Sequence, residues 1–188
     1  FRSDPASWYT GHNYHETQVF GTNLNAATTW SLGTTSMGVE FRSEGVRSNV
    51  LGNEMKEPQD VPFEKKGQYT KSYSRSNISY FLEHNVLLNQ FTLSLGVLAN
   101  YNSALNQGVR FYPGVDASWR FADNFRLYGS WNRALRMPTF TDLFYSSKTN
   151  IGNPDLKPEE SEAFELGVKY GTYFLRAHVA GFYRKGKN

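Results

Sequence analysis

The sequence predicts an all-β chain of long antiparallel strands that crosses a membrane as part of a barrel. Three observations predict it. Apolar and polar residues alternate over long stretches, those stretches are joined by short turns and longer loops in alternation, and aromatic rings are abundant in an otherwise hydrophilic chain. Phe, Trp and Tyr make up 16% of the 188 residues, yet the mean hydropathy is −0.58.

Strict alternation gives a strand two different faces, because successive side chains of an extended chain point to opposite sides. In chain order, a weak alternation runs through residues 20–32. Met37, Val39 and Phe41 then alternate with Gly38, Glu40 and Arg42. Residues 78–86 repeat the pattern weakly, and Phe91, Leu93, Leu95, Val97, Ala99 and Tyr101 alternate with Thr92, Ser94, Gly96, Leu98 and Asn100. The clearest case is Val109, Phe111, Pro113, Val115, Ala117, Trp119 and Phe121 against Arg110, Tyr112, Gly114, Asp116, Ser118 and Arg120. Residues 125–133 are weaker. Phe164, Leu166, Val168 and Tyr170 alternate with Glu165, Gly167 and Lys169, and Tyr173, Leu175, Ala177, Val179, Gly181 and Tyr183 with Arg176, His178 and Arg184. The result is about eight strands, most about 10 to 14 residues long, which is the length that spans a bilayer at a tilt. Pro113 would remove a ladder hydrogen bond, so residues 109–113 are expected to form a bulged extension outside the spanning part.

Residues 32–35, 87–90, 122–124 and 171–172 read as tight turns rich in Gly, Asn and Asp. Residues 49–70, 103–108 and 135–160 read as longer loops. Outer-membrane barrels show this asymmetry, with short turns at one boundary and long loops at the other. Soluble sandwiches have shorter strands and no reason for it. A bilayer leaves no backbone group unpaired, so only a helix or a closed barrel spans it. No apolar run exceeds three residues, which excludes a membrane helix of about 20 residues. Trp30, Trp119, Phe121, Phe125, Tyr170 and Tyr173 lie near short turns, where a barrel places an interfacial girdle of rings.

Composition removes other classes. Cysteine is absent, which excludes thiolate metal sites, catalytic thiols and disulfides. A net charge of +3 from 20 basic and 17 acidic residues gives no basic stripe for nucleic acid. His12 and His15 have a spacing that a metal could use, but no third ligand follows at a distinctive interval, and no metal or cofactor is expected. His178 shares a polar face with Arg176, and His84 closes a strand as a solvated residue. Glu159, Glu160 and Glu162 could pair for acid–base work, but they enter a strand beside a proline-containing loop and read as a solvated rim. Arg133 and Arg136 read the same way. No nucleophile elbow or phosphate loop occurs, and no enzyme is expected.

Two segments carry a resemblance. Asn132-Arg133-Ala134-Leu135-Arg136-Met137-Pro138-Thr139-Phe140-Thr141-Asp142-Leu143-Phe144-Tyr145 resembles the Arg-x-Pro and Asp-Leu-aromatic segment of TonB-dependent outer-membrane receptors. Gly152-Asn153-Pro154-Asp155-Leu156-Lys157-Pro158-Glu159-Glu160-Ser161 resembles that family's Asn-Pro-x-Leu-x-Pro-Glu loop, and Phe164-Glu165-Leu166-Gly167 its strand entry. Gly38-Val39-Glu40-Phe41-Arg42 also looks like a barrel strand of the family. The resemblance implies a barrel of about 22 strands with a plugged lumen, and residues 1–188 would be part of its barrel domain, without the plug or the final barrel strands. Strands cut from such a barrel would expose two edges and an apolar face, and would require detergent or self-associate.

The resemblance further implies a bacterial outer-membrane receptor. It would import a large, scarce nutrient with energy delivered by the TonB complex through the plug. Outer-membrane lipid surrounds such a barrel, and a surface lipoprotein is a further candidate partner. Loops 49–70 and 135–160 would then be extracellular, with Phe140, Phe144, Tyr145, Asn150 and Asn153 as candidate ligand contacts. Phe140, Leu143 and Phe144 can equally pack the loop in place. Arg110, Asp116, Arg120, Arg126 and Arg176 are candidates for lining the lumen and meeting the plug. The phrase from Arg136 to Leu143 looks most like the cobalamin-receptor branch as found in Bacteroidetes, favouring a corrinoid over a ferric siderophore or haem. Two other classes stay open: a passive porin or structural barrel, and a secreted ligand-binding β-domain.

Overall fold

The computed structural model describes residues 11–105, 108–147, 149 and 151–187. Nine strands form one antiparallel sheet with a single short helix among the described residues: β1 His15–Trp30, β2 Gly33–Ser48, β3 Asn53–Asp60, β4 Gln68–Leu88, β5 Phe91–Asn102, β6 Arg110–Ala122, β7 Phe125–Arg136, α1 Phe140–Phe144, β8 Glu159–Gly171 and β9 Arg176–Lys187. The strand order is β1-β2-β4-β5-β6-β7-β8-β9, with β3 paired to β4 beside this path. Sequence neighbours thus pair everywhere except at β2, which pairs with β4 rather than β3, and β1 and β9 end the path.

Short turns join the strands close to where the composition places them, with two changes: β2 already starts at Gly33, so residues 33–35 of the expected 32–35 turn are strand, and the last turn shifts. Thr172–Leu175 form the β8–β9 turn, so β9 starts at Arg176 rather than Tyr173. The Thr172 N–H donates to the Leu175 carbonyl at 2.8 Å, and the Thr172 hydroxyl accepts from the Leu175 N–H at 3.1 Å. The β1–β2 turn ends at Gly33, whose φ of 133° suits glycine and whose absent Cβ leaves room for the Asn85 carbonyl.

Two expectations change along the strands. The segment 49–70 contains β3 and the start of β4. Its register shifts between Glu54 and Gln59, beside Pro58, a residue that sheets admit at edges and bulges. In β6 the ladder to β5 continues without a shift through Val97↔Pro113, so residues 110–113 belong to the strand. The ladder to β7 begins one residue later, at Gly114↔Asn132, and the proline sits where that ladder ends. The β6 register shift lies instead between Trp119 and Ala122.

The chain divides into two compact units. Unit 1 comprises residues 1–19, 44–75 and 138–156, and unit 2 residues 20–43, 76–137 and 157–188. Unit 1 has an apolar core of Val46, Leu51, Val61, Tyr69 and Leu143. Inside it the fully buried Ser48 accepts the Val50 and Leu51 N–H groups at 2.9 Å and lies 2.9 Å from His15 Nδ1. His15, itself exposed, is thereby engaged by the Ser48 hydroxyl, and no group of three or more metal-ligating side chains occurs among the described residues.

Unit 2 is built the other way round. By register, Tyr80 and Leu82 of β4, Leu95 of β5, Trp119 of β6, Leu166 of β8 and Val179 of β9 share one face, and all are exposed. A chain of rings crosses this face at the short turns: Trp119–Phe121 and Phe121–Phe125 at 5.8 Å, then Phe125–Tyr170 at 4.8 Å. The buried positions include Asn100 and Asn102. Asn100 donates to Asn77 at 3.0 Å and to Ser79 at 2.9 Å, while Thr92 and Ser118 meet at 2.6 Å. His84 is half-buried rather than solvated, bonded to Thr35 at 2.9 Å and packed on Trp30 at 5.6 Å.

Tyr128 lies over Gly167, its cross-strand partner, where a Cβ would come within 2.7 Å of the phenol. Gly167→Val should therefore displace the ring and cost about 1–3 kcal/mol. Gly181 has open space around it, and Gly181→Val should stay within about 0.5 kcal/mol. Urea midpoints in detergent compare the two variants.

Candidate functional site

Residues 138–145 and 152–156 of the motif segments fold into one module in unit 1. Thr139 caps α1: its hydroxyl accepts the Asp142 N–H at 3.1 Å, and the Asp142 carboxylate accepts the Thr139 N–H at 2.9 Å. This reciprocal box satisfies N–H groups that a helix start leaves unpaired. Leu143 is buried at 5% exposure. The Gly152-Asn153 turn closes onto the helix, for a Cβ on Gly152 would lie 2.8 Å from the Phe144–Tyr145 backbone. The Asn153 N–H donates to the Asp142 carbonyl at 3.1 Å, and the Asn153 side chain accepts the Asp155 N–H at 3.0 Å. Thr139-x-x-Asp142 and Gly152-Asn153-Pro154 are thus two halves of one packed turn.

Tyr73 and Arg75 of β4 hold this module. The rings of Phe140 and Phe144 pack on Tyr73 at 5.7 and 4.7 Å. The Arg75 side chain is 10% exposed and meets Glu44 at 2.8 Å. It also donates to the Pro138 carbonyl at 2.7 Å and lies 4.8 Å from the Phe140 ring centroid. Such charge-assisted bonds in a half-buried setting exceed ordinary surface pairs in strength. None of Glu44, Tyr73 and Arg75 stands out in the sequence. Their segments read as loop or loop edge, and the alternate positions Tyr69, Lys71, Tyr73 and Arg75 mix rings with cations.

The expected ligand contacts divide accordingly. Phe140 and Phe144 are half-buried against Tyr73, Tyr145 is half-buried, and Asn153 is exposed with its side chain in the turn. Asn150 lies outside the described residues. Also in unit 1, a polar cleft of about 530 Å³ is lined by Glu16, Gln18, Arg47, Glu54 and Tyr73 among others. Arg47 donates to Glu16 at 2.6 Å and to Gln59 at 2.7 Å, and Gln18 donates to Glu16 at 2.6 Å. The Gln18 amide first, then Arg47, hold the Glu16 carboxyl below its ordinary 4.5.

In unit 2 the carboxylates expected as a solvated rim are tied down. Glu160 is 13% exposed and meets Arg110 at 3.1 Å and Arg133 at 3.6 Å. It also accepts from Tyr112 at 3.3 Å. Glu162 meets Arg133 at 3.4 Å, and Arg136 makes a two-bond fork with Glu159 at 2.7 and 2.9 Å. Such an arrangement braces strands. Pro158 beside it is fully buried. Register and alternation place Arg110, Asp116 and Arg120 of β6, Arg126 of β7 and Arg176 of β9 on the face opposite the exposed rings.

The family model of the TonB-dependent receptor-like β-barrel matches residues 1–188. The chain therefore belongs to the TonB-dependent receptor β-barrel family, whose members are outer-membrane proteins. Among curated relatives, the vitamin B12 transporter BtuB of Vibrio vulnificus is 25% identical over 61% of this chain and 18% of its own length. A probable TonB-dependent receptor of Haemophilus influenzae is 34% identical over 34% of the chain and 7% of its own. Among solved structures, a mutant of the ferric enterobactin receptor PfeA of Pseudomonas aeruginosa matches 93% of this chain and 27% of its own with a TM-score of 0.73 at 21% identity. The siderophore receptor PirA of the same organism matches 94% and 32% at a TM-score of 0.72 and 19% identity. The chain thus spans less than a third of the relatives it matches, and the solved structures bear on the fold alone. The named relatives are transporters and receptors.

Arg75→Met should remove the clamp on Pro138 and Phe140. Proteolytic cleavage within residues 138–156 should rise severalfold in the whole receptor, while heat-modifiable migration is kept. Acid should loosen the Glu16–Arg47 contact. A carboxyl whose folded value is depressed contributes stability above its unfolded value and loses it as pH falls through the folded one. Hydrogen exchange around Glu16, normalised to intrinsic rates, should accelerate below pH 4.5 in the native chain and stay flat in Glu16→Gln.

Proposed function

We propose that the protein containing this chain is a TonB-dependent import receptor for a large, scarce nutrient, with a corrinoid as the first choice. The observation that carries the corrinoid reading is the match to the vitamin B12 transporter, which extends over 61% of the chain. The Arg136–Leu143 phrasing, which looks most like the cobalamin-receptor branch as found in Bacteroidetes, supports it. A ferric siderophore or haem is the alternative. The siderophore receptors among the solved structures share 19–21% identity with the chain, a level that speaks for architecture and not for ligand.

In this reading residues 49–70 and 135–160 are extracellular. Tyr145, Asn150 and Asn153 contact the nutrient, as do the ring surfaces of Phe140 and Phe144 that Tyr73 leaves free. Stacking on flat ligands suits such rings. Arg110, Asp116, Arg120, Arg126 and Arg176 line the lumen and meet the plug, which lies outside this sequence, and TonB acts through that plug. The exposed apolar face of unit 2 lies against outer-membrane lipid, and a surface lipoprotein is a further partner of the loops.

Titration of the full-length receptor in detergent, read by tryptophan fluorescence, should show saturable cyanocobalamin binding at micromolar concentration or tighter. Saturation by ferric enterobactin alone would move the assignment to siderophores. No binding of either, with steady ion conductance in planar bilayers, would replace the import receptor with a passive porin.

A further inference from the structure

We propose that the tip of the β3–β4 hairpin anchors a protein–protein contact, and that its partner is a surface protein with an apolar pocket rimmed by carboxylates. The tip reads Asp60-Val61-Pro62-Phe63-Glu64-Lys65-Lys66-Gly67. The Val61 carbonyl accepts the Glu64 N–H at 3.1 Å, which closes a four-residue turn with Pro62 second and Phe63 third. Pro62 has its φ fixed on the negative side, while Phe63 has a φ of 66°. That is the pattern of a type II turn, whose third residue is ordinarily glycine or asparagine. Among the described residues Phe63 alone of the non-glycines takes a positive φ, a conformation that strains a bulky side chain.

Nothing in the turn itself requires a ring there. Glycine adopts the same φ without strain, and the phenyl group gains no burial in return, being 106% exposed. The base of the hairpin is nonetheless fixed. Val61 and Tyr69 are buried, and the Val61 N–H donates to the Gly67 carbonyl at 2.9 Å. Gln68 donates to Asp60 at 3.0 Å, and the Tyr14 ring lies 3.0 Å from where Gly67 would carry a Cβ. A firmly rooted turn thus holds an aromatic ring out into solvent. Backbone strain kept without local return points to function, and rigid presentation lowers the entropy lost on association.

Shape and charge select the occupant. Small-molecule sites are concave and close round most of their ligand. Phe63 instead protrudes, and no residue of the tip lines the polar cleft of unit 1, so the pocket comes from the partner. Lys65 and Lys66 beside the ring are exposed and make no ion pair among the described residues. Carboxylates on the pocket rim complement them. A bilayer suits the tip poorly, because one ring offers little apolar area and Asp60 and Glu64 flank it with negative charge. The proposal rests on the extracellular placement of residues 49–70 given above and is independent of the nutrient. It gives the protein partner of the loops its point of contact.

Full-length receptor with p-benzoylphenylalanine in place of Phe63, irradiated in intact cells and analysed by mass spectrometry, tests it. The expected result is an adduct with one other surface protein, joined beside an Asp or Glu, whose yield falls at least tenfold when Lys65→Glu and Lys66→Glu are added. Phe63→Gly should weaken binding of that protein to purified receptor at least tenfold. It should keep heat-modifiable migration and leave the affinities for cyanocobalamin and ferric enterobactin within twofold. Adducts confined to lipid, to a second copy or to the receptor's own chain would overturn the proposal, as would no adduct at all. A tenfold loss of affinity for either nutrient in Phe63→Gly would move the ring into nutrient binding and overturn it too. Failure of both nutrients to bind, with the lysine-dependent adduct present, would count against the import reading and leave this contact standing.

Discussion

A backbone N–H or C=O that enters hydrocarbon finds no water to bond, and each unpaired group costs several kcal/mol there. Unit 2 is organised around that constraint. The ladders β4–β5, β7–β8 and β8–β9 pair residue by residue along their length. Once the ladders are complete, alternation decides the rest. Most of the large apolar side chains go to one exposed face, and the opposite face holds Asn77, Ser79, Asn100 and the Thr92–Ser118 pair, each bonded to a neighbour. Stability comes from backbone pairing and cross-strand contacts on a sheet whose largest hydrophobic residues are exposed.

Unit 1 obeys the rules of a water-soluble domain. It buries Val46, Leu51, Val61, Tyr69 and Leu143, and it pairs polar groups internally through the buried Ser48 and the exposed capping box of α1. The Arg75–Glu44 pair and the Tyr73 ring add a clamp. A segment held this way loses less conformational entropy on binding than a free loop, which is how preorganisation raises affinity.

Legibility in the sequence follows locality. The strands with strong alternation, 91–102 and 109–121, correspond closely to β5 and β6. The outer reaches of β1, β2 and β4, and all of β3, carry charged and polar residues on both faces, so period two is absent there although the backbone is extended. α1 is too short for helical periodicity, and its capping residues Thr139 and Asp142 entered the sequence reading only as members of the motif string. The motif residues were found as a string, while the side chains that anchor them, Tyr73 and Arg75, belong to a segment about sixty residues away, with Arg75 and Pro138 separated by 63 positions.

By itself the sequence determined the two-faced strands, their turns and the polarity of each face, because alternation and turn chemistry act between residues adjacent in the chain. Tertiary structure alone decided which charges are matched. Arg110 and Glu160 meet through the packing of β6, β7 and β8, and Arg126, Lys169 and His178 fall into one row through the registers of β7, β8 and β9. Those relations depend on alignment between distant strands, which no local pattern encodes.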